Sequence, residues 1–191
     1  MDDFHKLLLE WETFYLLIGT AGATLAGLMF VAISLTQRAS SGARLPILRA
    51  HMDPALLAFV LSLLLGTMLL MPSLTRPWFG ALLILAGLLS LVYMGFVLYQ
   101  LIRVVWVTRG WDLSDWLWYA IAPVLGGLLL ITSGGLGLFR QAHASLNLTA
   151  ITMLVLLTMG LRNAWDLVTF SMARMDDAGQ APGVPEEPRE P

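Results

Sequence analysis

From residue 14 to residue 36 the chain runs for 23 residues without a charged side chain. A helix needs about 20 mainly apolar residues to cross the hydrocarbon core of a bilayer. In that core no water can bond a backbone amide, so each N–H and C=O must pair within its own segment, which forces a helix. Four further stretches follow the first. Residues 54–71 make 18, residues 79–102 and 116–139 make 24 each, and an apolar run from Leu146 ends at Leu161 before Arg162. The last run has 16 residues, about 24 Å of helix against a core of about 30 Å. It is expected to continue through Arg162 and Asp166 to about residue 168.

Composition agrees with lipid as the solvent. Hydrophobic residues are 58% of the chain and charged residues 13%, against about 25% charged in an ordinary soluble domain. The expected fold class is therefore all-α, a polytopic bundle of five transmembrane helices over residues 14–175. Residues 1–13 are expected as a short interfacial segment, because Phe4, Leu7, Leu8, Trp11, Phe14 and Tyr15 share one helical face. The first run is read as a retained span rather than a cleaved leader, since its flank is acidic (Asp2, Asp3, Glu10, Glu12) and it is too long for a leader's apolar core. Residues 176–191, rich in Pro and Glu, are expected to be a disordered tail.

Basic residues set the expected orientation. With five spans, one side receives Arg38, Arg44, Arg49, Arg103, Arg109, Arg162, Arg174 and Arg189, and the other only Lys6, Arg76 and Arg140. Positive side chains mark the cytoplasmic side, which places the N-terminus outside and the C-terminus inside. All seven Trp residues fall near expected span ends, where an amphipathic ring sits at headgroup level.

Three features bear on chemistry. Gly19, Ala23 and Gly27 stand four residues apart in the first span, a spacing that lets helix backbones approach closely, either between copies or within one bundle. The fourth span holds Pro123, Gly126 and Gly127, where a missing donor predicts a kink near its middle. The third is a polar group on the expected cytoplasmic side. Arg162 and Asp166 share a face of the fifth span with Asn163 between them. Asp53, read with Pro54 as the cap and first residue of a helix, and Asp115 open the second and fourth spans. These five residues form the candidate site, with either aspartate a partner for Arg162. The plainer reading is two helix caps and one interfacial ion pair.

Other chemistries find little support. Cysteine is absent, and His5, His51 and His143 show no metal-ligand spacing. The glycines of residues 133–137 lack the lysine of a phosphate loop, and there is no basic run for nucleic acid. The first four spans carry no charged residue in their middles, which argues against ion-coupled transport. No cofactor, metal or nucleic-acid partner is expected; the expected partners are membrane lipid, a second copy, or another membrane protein.

The strings at residues 11–15 (Trp-Glu-Thr-Phe-Tyr), 27–31 (Gly-Leu-Met-Phe-Val), 115–119 (Asp-Trp-Leu-Trp-Tyr) and 162–166 (Arg-Asn-Ala-Trp-Asp) together resemble a group of small, uncharacterised bacterial multi-span proteins. The resemblance covers most of residues 11–170. It implies a multi-pass inner-membrane location and brings no activity, cofactor or catalytic residue. The expected function is non-enzymatic assembly or modulation of a partner. A small channel or carrier with a cytoplasm-facing polar site is the alternative, and a lipid-acting membrane enzyme a second.

Overall fold

The computed structural model describes residues 3–39, 45–108 and 116–179. Among these the chain is all helical: α1 (Asp3–Ala39), α2 (Leu45–Leu69), α3 (Arg76–Thr108), a π turn (Leu117–Ile121), α4 (Ala122–Leu138) and α5 (Ala142–Gly179). Three stretches are long and apolar enough to cross a membrane, Asp3–Ser34, Arg76–Tyr99 and Ala142–Asp166; two shorter apolar helices cover Asp53–Leu69 and Ala122–Leu138.

The helices pack as two antiparallel pairs, α1 with α2 and α3 with α4, joined by α5, which lies against α2 and α4 and also touches α1. Consequently α5 is half buried along its apolar stretch, whereas α1 and α3 are mostly outward-facing. Two short links lie at one end of the bundle, residues 70–75 between α2 and α3 and residues 139–141 between α4 and α5. We call this the hairpin end and the opposite one the far end. The second link closes with the Gln141 N–H donating to the Leu136 carbonyl and Arg140 in the left-handed region at φ 66°. A side chain there crowds the following carbonyl, which is why glycine is usual at that place.

The outside decides what solvent the protein takes. Leu17, Leu28, Phe30 and Val31 on α1, Leu89, Val92 and Phe96 on α3, and Ile151 and Leu161 on α5 are all exposed, Val92 to 72%. Apolar faces this broad are unstable in water, and hydrocarbon is the medium that removes the penalty.

Two expectations change here. Residues 3–13 are not a separate interfacial piece: they are the first turns of α1, and Phe4, Leu7 and Leu8 are buried in the same core as Tyr15, Leu65, Phe79, Leu130 and Leu146. The aromatic face turns onto protein because Phe79 stands 5.5 Å from Phe4, between ring centroids. Nor does α2 open at Asp53. It starts at Leu45 with Pro54 inside it, so Asp53 is not a cap. A proline is tolerated there because only the carbonyl one turn earlier loses its donor. Of the expected tail, residues 176–179 continue α5 and residues 180–191 lie outside the described residues.

Candidate functional site

The far end gathers most of the polar side chains that the sequence singles out. Counting from the hairpin end, Asp53 lies 16 residues from Leu69, Tyr93 17 from Arg76, Trp118 20 from Leu138 and Asn163 21 from Ala142. At about 1.5 Å per residue all four stand roughly 24–32 Å along the bundle.

On α5, Arg162 and Asp166 sit one turn apart, and Nε of Arg162 lies 3.7 Å from Oδ2 of Asp166. Both side chains are more than a third exposed, 44% and 36%, and such a pair contributes about 0–1 kcal/mol. The guanidinium also lies over the Trp118 ring, 5.2 Å from its centre, a stacking contact of about 0.5–1 kcal/mol at a partly exposed place. Thus Arg162 bridges α5 to the π turn through Trp118 and pairs with Asp166 along its own helix.

The π turn follows from Pro123. The Ala122 N–H donates to the Leu117 carbonyl, five residues back, and Pro123 has no N–H to give to Trp118 or Tyr119. One extra residue is thereby accommodated per turn, and the helix resumes as α4 at Ala122 with Pro123 in its first turn. The sequence predicts a kink near mid-span; the irregularity lies instead at the far end of this helix, where Trp118 and Ala122 pack on Ala58, Leu61, Leu156 and Met159. Single π turns within α-helices are frequent at functional places.

Asn163 is the unusual residue. Its side chain is fully buried, and among the described residues neither its Oδ1 nor its Nδ2 has a hydrogen-bond partner. It follows Gly160, whose backbone lies against the Phe59 ring, and Met159, which packs with Trp118. Its neighbour Ala164 packs with Ala55 and Phe59 of α2. The position is therefore wedged between α2 and the π turn. An unsatisfied buried polar group costs about 1–3 kcal/mol.

Asp53 is linked to α3, where the Tyr93 hydroxyl donates to its carboxylate. Sequence reasoning missed Tyr93, because nothing in a span marks one tyrosine as facing an aspartate 40 residues earlier. Asp115 lies outside the described residues. Of the five candidates, then, Arg162 and Asp166 form a pair, Asn163 lies buried beside them, and Asp53 stands at the same level bonded to Tyr93.

The small-residue ladder divides. A Cβ on Gly19 would stand 3.3 Å from Cα of Gly66, and one on Gly22 only 2.8 Å from the Phe59 carbonyl oxygen. These two glycines face α2. Ala23 is half-buried, and Gly27 is exposed with nothing within 4 Å of where its Cβ would be. The inward row is Gly19, Gly22 and Ala26, offset from the predicted one because a helix advances 3.6 residues per turn and a strict four-residue row drifts off the face. A second seam, unremarked in the sequence, joins α3 to α4. A Cβ on Gly87 would come within 2.7 Å of the Gly127 carbonyl oxygen, and one on Gly134 within 2.6 Å of the Gly80 carbonyl oxygen. The equal seven-residue spacing of 80 and 87, and of 127 and 134, was the signal available.

Towards the hairpin end the buried hydroxyls of Ser133, Ser145, Thr149 and Tyr15 are bonded. Ser133 Oγ donates to the Ser145 carbonyl at 2.6 Å and lies 2.7 Å from Thr149 Oγ1, while the Tyr15 hydroxyl donates to the Leu146 carbonyl at 2.8 Å. Comparison with protein-family models, curated proteins and solved structures gave no match.

Proposed function

We propose that the chain crosses a bacterial inner membrane five times, N-terminus outside and C-terminus inside, and acts without catalysis by assembling with itself or with another membrane protein. The observation that carries this reading is the outward face of α1. Thr20, Thr24, Gly27, Val31 and Ser34 follow one another at helical spacing and are all exposed. The hydroxyls of Thr24 and Ser34 donate back to Thr20 and Phe30 of their own helix, so the face presents a low, nearly apolar surface. Small residues on such a face admit another helix backbone, and those used inside the bundle are different ones.

The five passes draw support from length. The two shorter apolar helices each gain from what adjoins them, α2 from its start at Leu45 and α4 from the π turn. The far end, rich in arginine, is then cytoplasmic. The test is Gly27→Leu, with oligomeric state read by light scattering in nanodiscs and fold by circular dichroism. The helical signal and melting temperature should stay as in the wild type while the oligomer is lost. A wild-type chain that is monomeric at every concentration sinks self-assembly and leaves only assembly with another membrane protein.

A small carrier or channel is the second reading, favoured by the buried Asn163 beside the π turn at the cytoplasmic end. Against it stands the layer of Phe59, Leu130, Met153 and Leu156, all buried, between that end and the bonded hydroxyls. Solute or ion flux into proteoliposomes carrying the purified chain would favour the carrier.

A further inference from the structure

We propose that Asn163 anchors a binding site for a small uncharged group that both donates and accepts hydrogen bonds, either water or the hydroxyl of a lipid headgroup entering from the far end. The inference stands on the surroundings of Asn163 and does not depend on whether the chain assembles or transports.

Three observations converge on it. First, Asn163 is fully buried with both amide atoms unbonded among the described residues. A carboxamide brings two donors and an acceptor, and buried groups of this kind are bonded in folded proteins, to ordered water where no side chain serves. Second, the wall facing it contains the π turn. Because the Ala122 N–H serves Leu117 and Pro123 has no N–H, Trp118 and Tyr119 are offered one backbone donor fewer than a regular helix supplies. The place thus has an amide and a surplus of carbonyl oxygen on neighbouring helices. Third, charge restricts the guest. The Arg162 guanidinium on the adjacent residue lies over Trp118 and disfavours a cation. Surplus carbonyls disfavour an anion. The nearest described carboxylates are engaged, Asp166 with Arg162 and Asp53 with Tyr93. A hydroxyl-bearing neutral group meets all of these demands: it accepts from Nδ2 and donates to Oδ1 or to a carbonyl of the π turn.

Arg162 and Trp118 lie on the lipid- and water-facing side of this place, and Trp165, 68% exposed, follows two residues after Asn163. Entry is therefore from the headgroup level, where both sources of the hydroxyl are present.

The experiment is magnetisation transfer to the Asn163 side-chain amide, in the full chain carrying ¹⁵N-asparagine in nanodiscs. Asn147 is the only other asparagine, so assignment needs one variant. Two lipids are compared, phosphatidylglycerol, whose headgroup bears hydroxyls, and phosphatidylcholine, whose headgroup does not. Early transfer from water in both lipids assigns the site to water. Transfer from headgroup protons in phosphatidylglycerol alone assigns it to lipid. An amide that receives neither overturns the proposal. Asn163→Leu gives a second readout: the melting temperature should fall, because the carbonyl surplus loses its bridging guest. A rise, as expected from replacing an unsatisfied amide in a dry core, overturns it. If that variant does not fold, transfer to the wild-type amide still decides.

Discussion

The two ends of the bundle handle buried polarity in opposite ways. At the hairpin end, Ser133, Ser145 and Thr149 bond one another across α4 and α5, and Tyr15 ties α1 to α5. The exception there is Arg76, whose buried Nε has no partner among the described residues but whose guanidinium lies 5.6 Å over the Phe4 ring. At the far end Asn163 has no partner among the described residues, Asp53 and Tyr93 pair between helices, and Arg162 and Asp166 form a half-exposed ion pair. In lipid a helix gains no hydrophobic drive from meeting another helix. Close backbone packing and satisfied hydroxyls therefore hold the hairpin end together. The far end adds little by those means.

The most severe way to break this contrast is at the glycine seam. Gly134→Val puts a side chain within 2.6 Å of a backbone oxygen, which cannot rotate aside, and should cost about 3 kcal/mol or more. Chemical unfolding in detergent would show it, while Gly95→Ala, with nothing within 4 Å, should leave stability unchanged or raise it by up to about 1 kcal/mol. A Gly134→Val chain as stable as the wild type would mean the seam is absent. Next comes Ser133→Ala, which removes the junction between α4 and α5 and should cost about 0.6–1.7 kcal/mol. The same assay should then show Ser145→Ala adding little further loss, since both hydroxyls belong to one network. Arg140→Gly should act in the other direction. Relief of the left-handed backbone strain should raise stability by about 1 kcal/mol, and a drop would place Arg140 in some contact that its exposure does not suggest. The smallest effect belongs to the far end: Asp166→Asn should change stability by no more than about 0.5 kcal/mol, though it loosens Arg162 above Trp118. If Asp166→Asn proved as damaging as Ser133→Ala, the ends would not differ as described.

Part of the candidate site's local geometry was legible in the sequence, and the reasons for the gaps are physical. Arg162 and Asp166 could be paired on paper because four residues make one helical turn. Asn163 could be named as part of a polar cluster, but its burial depends on which side of α5 faces α2 and the π turn. Tyr93 was invisible, since its partner lies on a different helix. Pro123 announced an irregularity; its form, a π turn towards the far end rather than a kink at mid-span, followed from which N–H was redirected to Leu117.

Hydropathy by itself determined that this chain is helical, with stretches long and apolar enough to cross a membrane. Long apolar runs have only one way to satisfy their amides without water, and that rule needs no knowledge of neighbours. Tertiary structure decided which face of each helix turned inward: that Gly19 and Gly22 meet α2 while Gly27 looks outward, that the aromatic start of α1 joins the core, and that Asp53 lies inside a helix rather than capping one. Such choices rest on contacts between distant segments, and short-range spacing carries no record of them.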